Sequence, residues 1–293
     1  MKMFIALLFF VPFLAAQDDD VQIQVVPIAA NISMLVGNGG NIGLCTGPDG
    51  TFMIDDQFAP LSEKIKAAVA TVTDQPVKFL VNTHYHFDHT GGNENFGKSA
   101  AIIIAHENVR TRLVAGQDMK DFGSKVPPAS KEALPVITFT EDMALHLNDE
   151  DIVVTHVHNA HTDGDAMIWF KKANVLHMGD CFFNGLYPYF DIHAGGSLAG
   201  VIKNAEKVLT QIDDNTKIIP GHGPVASRKD LQAFHDVLKD VYDQVDKMVS
   251  KGKTLDEVLA AKPSAAHDEQ WGKAFLSPDK WVTLIYNDVA RKK

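Results

Sequence analysis

Four imidazole and carboxylate side chains crowd into six residues, His84-x-His86-x-Asp88-His89, directly behind an apolar run at 77–81. This cluster constrains the chain more than any other feature. In extended backbone His84 and His86 project to the same side, because side chains alternate with period two. Both can therefore reach one ion. Asp88 and His89 follow where Gly91 and Gly92 let the backbone turn away. Imidazole and carboxylate are donors that zinc accepts at about 2.0–2.2 Å. A run of this form arises by chance in roughly two of a thousand chains of this composition.

The flanking pattern says what carries the cluster. Short β-rich runs at 21–26, 32–36, 42–46 and 51–54 are separated by turn residues at 37–40 and 47–50. A helix is predicted over 60–72 and a strand over 77–81. A second series follows, with strands at 102–105, 136–139, 152–157, 166–170 and 175–178, a helix at 197–209 and a strand at 217–219. The residues 119–135, with Pro127-Pro128, are predicted to form a long loop. Over 226–251, Leu231, Phe234, Leu238, Val241, Val245 and Met248 recur at three- and four-residue spacing, and Ser227 with Asp230 forms a capping box. Thr254 with Glu257 opens a further helix. No linker divides the two series, so a single domain is expected over 17–293, ending in helices. Its fold class is α/β, a four-layer αββα sandwich of sheet on sheet with helices outside.

Further donors stand at the ends of later strands: His161 between two strands, Asp180 closing the strand at 175–178, and His222 in Pro220-Gly221-His222-Gly223-Pro224. Seven nitrogen or oxygen donors exceed the four of a structural zinc site and suit two metals with open positions. The pattern resembles the metallo-β-lactamase superfamily over nearly all of the chain beyond the leader. The resemblance implies that His84, His86 and His161 hold one zinc, that Asp88, His89 and His222 hold a second, and that Asp180 bridges them. It also implies an acidic residue supporting the ligands at the end of an early strand, where Asp55 stands. Cys181 lies one position past the cysteine ligand of one β-lactamase subclass and is not assigned to metal. That subclass also lacks a histidine at the place of His89. Having both His89 and Asp180 is similar to glyoxalase II-like thioesterases and lactonases. Lactonases of this fold carry a tyrosine three residues after the bridging aspartate, where this chain has Phe183; Tyr187 or Tyr189 is the nearest substitute. No basic cluster of the glyoxalase II kind follows His222.

Two zinc ions held by these donors would supply a water acidified toward a pKa of about 7 and fit to attack a carbonyl carbon. Asp88 is the expected catalytic base. The expected activity is hydrolysis of a small cyclic amide or ester, as in a β-lactamase. A lactonase or thioesterase on the same metals, and a zinc-binding protein without catalysis, are the alternatives. The aromatic run after Asp180 supplies candidate pocket residues: Phe183, Tyr187 and, as an oxyanion donor, Asn184. His156, His158, His177 and His193 lie near the ligand loops but rank below the seven; His106 has no constellation around it.

Residues 1–16 read as a signal peptide: Lys2, an apolar run and Ala15-Ala16 at the cut. A secreted or periplasmic protein with no membrane anchor is expected. Losing Lys2 and no acid moves the formal charge from −10 to −11, which disfavours nucleic acid as a partner and leaves a small molecule as the substrate. Two cysteines, Cys45 and Cys181, could pair in an exporting compartment but make no disulfide framework.

Overall fold

A computed structural model describes residues 20–292, so the expected leader at 1–16 lies outside the described residues. The first sheet has the spatial order β1 (Gln24–Ala29), β2 (Ile32–Val36), β3 (Ile42–Cys45), β4 (Thr51–Ile54), β5 (Val77–Val81), β6 (Ile102–His106) and β9 (Ile137–Phe139). The β1–β4 strands form antiparallel hairpins, and β4, β5, β6 and β9 run parallel. The second sheet is β10 (Asp142–Leu147), β11 (Glu150–Val157), β12 (Asp165–Phe170), β13 (Val175–Phe183) and β14 (Lys217–His222). It is antiparallel as far as β13, and β14 joins parallel to β13. A small hairpin, β7 (Gln117–Met119) with β8 (Ser124–Val126), stands apart.

Strand alternation builds the layers. In β4, Phe52 and Ile54 face the second sheet, where they share a core with Ile168, Phe170 and Ile219. Phe52 meets Phe170 edge to face at 6.0 Å. Met53, between them, points the other way and packs with Ile65 and Val69 of α1 (Ser62–Ala70). Across the molecule Leu176 and Met178 of β13 meet α5 (Leu198–Leu209) and α6 (Arg228–Ser250). The result is the αββα sandwich. Asp230 accepts hydrogen bonds from Ser227 N and Oγ at the start of α6. Three short helices follow β5 or β6: α2 (Phe87–Thr90), α3 (Asn93–Lys98) and α4 (Glu107–Ala115). Three more close the chain: α7 (Leu255–Ala261), α8 (Asp268–Trp271) and α9 (Pro278–Ala290).

Four expectations need correction. The segment 119–135 is not one long loop, because it contains the β8 half of the hairpin and short turns. Asp180 does not end its strand. β13 continues to Phe183 through an irregularity at Gly179, whose φ is +51° and whose added Cβ would lie 2.7 Å from Thr83 Cβ. Cys45 and Cys181 are both buried free thiols in separate cores, so they do not pair. Cys181 faces the Asp165 carboxylate at 3.7 Å, which takes it away from the ligands. Tyr187 is fully buried and stacks on Trp281 at 4.0 Å, its hydroxyl donating to Asp268 Oδ1 at 2.8 Å. It belongs to the core and not to a substrate pocket.

Candidate metal centre

The end of β5 delivers Thr83, His84 and His86, and α2 carries Asp88 and His89. The β11–β12 connection delivers His161, β13 delivers Asp180 and the end of β14 delivers His222. All seven predicted donors converge. His86 Nδ1 lies 3.1 Å from His84 Nε2 and 2.8 Å from His161 Nε2. Asp180 Oδ2 completes this group at 3.8 Å from His84 Nε2 and 3.5 Å from His161 Nε2. The second group is as tight. His222 Nε2 is 3.4 Å from His89 Nε2 and 3.3 Å from Asp88 Oδ2, and His89 Nε2 is 3.6 Å from Asp88 Oδ2. Asp180 Oδ1 stands 3.1 Å from His89 Nε2 and 3.5 Å from His222 Nε2.

These distances fit metal ions. A tetrahedron with arms of about 2.0–2.2 Å has edges of about 3.3–3.6 Å, near the middle of the observed separations. Asp180 Oδ1 is buried without a hydrogen bond of good geometry, an orphan atom of the kind a cation would satisfy. A Cβ added to Gly221 would stand 2.0 Å from that oxygen, so glycine is required beside it.

The second nitrogen of each buried imidazole is also held. His89 Nδ1 meets Asp55 Oδ2 at 2.7 Å, His84 Nδ1 meets Thr83 Oγ1 at 3.0 Å, and His161 Nδ1 meets the Tyr189 carbonyl at 2.9 Å. His86 Nε2 lies 3.3 Å from Asp191 Oδ2, which also accepts from the Tyr85 hydroxyl at 2.6 Å. Such contacts fix the tautomer and the ring plane. Asp55 therefore sits where an acidic support was expected. It also accepts from Thr83 N and Oγ1, both at 2.7 Å. Its backbone is left-handed, with φ +61°, as is that of Gln57 at +55°. Non-glycine residues rarely adopt this conformation, and such strain concentrates at functional sites.

Electrostatics divides the centre in two. Burial holds the His84 and His161 imidazoles below their ordinary range, His161 near 4, which leaves them neutral with a free lone pair. Burial also opposes charge on His222, but Asp180 and Asp88 outweigh it and raise the ring to about 9. His89 moves in the same direction for the same reason. Burial pushes the Asp88 carboxyl up, yet His89 and His222 outweigh it and hold the group at about 2. The half of the centre containing Asp88 thus favours a positive charge between its carboxylates.

The surrounding rings have distinct places. Phe183 is buried and stacks on His222 at 5.0 Å, forming a wall behind that ligand. Phe182 packs against Phe234 in the core. The Asn184 amide donates to the Pro224 carbonyl at 3.0 Å and fastens the His222 loop, a structural use in place of the expected oxyanion contact. Tyr189 lies 5.8 Å from the His86 ring and 5.9 Å from the His161 ring. His177 spans the sheets, meeting the Asn41 carbonyl at 3.1 Å, and His156 stacks on His106 at 3.9 Å, away from both groups of donors.

Comparison with known proteins agrees with this geometry. The model of the metallo-beta-lactamase superfamily matches residues 31–222, which end at the last donor. An uncharacterized protein of Aquifex aeolicus is 28% identical over 200 residues, 68% of this chain and 87% of the relative. A hydroxyacylglutathione hydrolase of Polaromonas sp. is 28% identical over 165 residues, and the match spans 56% of this chain and about half (55%) of the relative's length. A metallo-beta-lactamase from Pontibacter korlensis superposes with a TM-score of 0.61 at 18% identity, covering 75% of this chain and all (100%) of that one, which shows a shared fold.

Proposed function

Because the chain belongs to the metallo-β-lactamase superfamily, a family of metal-dependent hydrolases, we propose that it is a secreted enzyme that opens a small cyclic amide or ester with two zinc ions, in the manner of a β-lactamase. The observation that carries this reading is the Asp180 carboxylate, which presents Oδ2 to one group of donors and Oδ1 to the other. His84, His86 and His161 would hold the first ion and Asp88, His89 and His222 the second, with Asp180 shared. Bound there, the pair would supply an acidified water and Lewis acidity toward a carbonyl oxygen and a leaving group. Secretion rests on the leader pattern at 1–16.

The chain's own residues prepare the rest. Asp88 is partly open to solvent, with 23% of its side chain exposed, while Asp180 is nearly closed at 5%. With Oδ2 turned to His89 and His222, the rest of the Asp88 carboxylate is placed to orient a water, accept its proton and pass that proton on to solvent. Phe183 keeps water from behind His222.

A second reading, thioester or lactone hydrolysis, is favoured by the joint presence of His89 and Asp180 and by the hydroxyacylglutathione hydrolases among the relatives. A non-catalytic zinc-binding role is the remaining alternative, and nothing in such a role demands an open two-metal site.

Purified protein is expected to carry two zinc ions per chain and to open a chromogenic β-lactam until a chelator is added. Rapid turnover of thioesters or lactones with none of β-lactams would select the second reading. Asp88→Asn is expected to lower kcat/KM by about 10²–10⁴-fold, the usual range for a lost general base, while most of the metal stays bound. Equal loss of metal and activity would make Asp88 a ligand alone.

A further inference from the structure

Behind Tyr189, whose ring contacts His86 and His161, lies a cavity of about 460 Å³ between the β7–β8 hairpin and α9, and we infer that it holds a hydrophobic substituent of the substrate, at least as large as a phenyl group, that extends past that ring from the scissile carbonyl. This deepens the proposed function and rests on the centre being hydrolytic. Phe122, Tyr189, Phe275, Leu276 and Leu284 form its apolar walls. Its volume falls within the range of about 300–1,000 Å³ typical of small-molecule sites.

The cavity touches the centre through rings at both ends. Tyr189, which contacts the His86 and His161 rings, is also 5.0 Å from Phe122. At the other end Phe275 lies 6.3 Å from Phe183, the ring stacked on His222. None of the seven donors lines the cavity, so a group seated there stands one ring away from them, across Tyr189 on the side of His86 and His161 and across Phe183 on the side of His222. The wall is fastened, since the Tyr189 hydroxyl donates to Asp121 Oδ2 at 3.0 Å and holds the turn that carries Phe122.

Phe122 and Phe275 are 47% and 53% exposed, although they are among the largest apolar side chains of the molecule. Exposed aromatic surface rimming a concave site is what an apolar ligand group would cover, and the ring edges and faces suit an aromatic guest. A second cavity reaches His222 itself, and Val26, Met34, Val36, Leu186 and Val225 share its wall with the backbone of 37–39 and 223–224, but no phenylalanine, tyrosine or tryptophan lines it to meet an aromatic guest. The α9 wall lies beyond residues 31–222, the part matched by the superfamily model. Specificity in this chain is thus supplied by its C-terminal helices and the hairpin, with Phe122 and Phe275 as specificity-determining residues.

The test pairs binding with turnover on the metal-loaded protein. N-phenylacetylglycine is expected to bind at least tenfold tighter than N-acetylglycine by calorimetry. Phe275→Ser and Phe122→Ser, both at half-exposed positions, should each cut that preference threefold or more. Two β-lactams with one nucleus, bearing phenylacetyl or acetyl side chains, should differ at least tenfold in kcat/KM, mostly through KM, and the ratio should shrink in both variants. Equal binding of the two glycines, or a preference that survives both substitutions, overturns the cavity assignment. A retained binding preference with no turnover of either lactam overturns the β-lactamase reading and leaves the cavity assignment standing.

Discussion

Asp191 shows how much of the centre depends on a residue outside the donor set. Its Oδ2 faces His86 Nε2 and the Tyr85 hydroxyl, while Oδ1 accepts from His193 N and Ala194 N, so the carboxylate is locked from both sides. Asp191→Asn keeps the shape but weakens the hold on His86. Zinc affinity is expected to fall about 10–100-fold, as read by competition with a chromophoric chelator; an unchanged affinity would make Asp191 a turn residue only. The sequence offered no sign of this role. Asp191 lies 105 positions from His86, in a loop with no periodicity, whereas the seven donors announce themselves by spacing or by sitting at strand ends. His177 has the opposite character, a fully buried imidazole that is not a donor in either group. Its Nδ1 accepts from Gly179 N and its Nε2 meets the Asn41 carbonyl, a pairing only the neutral ring can make. Burial lowers its pKa from 6.5 to about 4. The unfolded chain therefore binds the extra proton first as pH falls. The stability this neutral ring contributes is present above pH 6.5 and is lost as pH drops toward 4. The loss is at most about 3 kcal/mol. In chelator, urea midpoints measured between pH 7 and pH 4 should show a shallower acid slope for His177→Gln than for the parent protein; parallel slopes would refute the assignment.

At the level of elements, the segment after Asp180 shows why type is easier to read than destination. Phe182, Phe183, Tyr187 and Tyr189 share one aromatic run, yet they go to the α6 core, the back of His222, the Trp281 stack and the cavity wall respectively. Tyr187→Phe tests the core assignment. It removes the hydroxyl's bonds to Asp268 and the Ser264 carbonyl and keeps the ring stack, so stability should fall by about 1 kcal/mol and kcat/KM should stay within twofold. A tenfold loss of activity at unchanged stability would return Tyr187 to the site. The same contrast runs through the fold. Strands at 32–36, 51–54 and 77–81 match their expected bounds because uniform β-rich runs end at glycine, proline or aspartate turns. β10 was not foreseen, since an edge strand buried only partly on one side carries weak hydrophobic contrast. The helix α4, with only Val109 and Leu113 buried, lacks a full apolar stripe. β13 outran its expected end because Gly179, ordinarily a stop signal, here lets the strand kink and continue, carrying Asp180 to the centre.

For the molecule as a whole, the donors come from both sheets. His84, His86, Asp88 and His89 follow β5 of the first sheet, while His161, Asp180 and His222 follow or lie on strands of the second. Ions at the centre would therefore clamp the two halves of the sandwich at one edge. The apolar interface of Ile32, Phe52, Ile104, Ile152, Phe170 and their neighbours holds the rest. Without metal the fold has a partial substitute, because protonated His89 and His222 can balance Asp88 and Asp180. Chelation should accordingly leave the far-ultraviolet circular dichroism intact but lower the melting temperature. Two zinc ions, each at a thousand times its dissociation constant, contribute about 8 kcal/mol, and a chain of this size shifts by about 1–2 °C per kcal/mol. A fall of about 8–16 °C is expected on adding chelator, reversed by zinc and not by magnesium, whose preference for six oxygen donors this imidazole-rich centre does not meet. A melting temperature indifferent to chelator, in protein shown by metal analysis to have carried zinc, would mean that the ions bind the unfolded chain as tightly as the folded one, through the local run from His84 to His89 alone. Asp180 would then lose its place as the shared ligand between them.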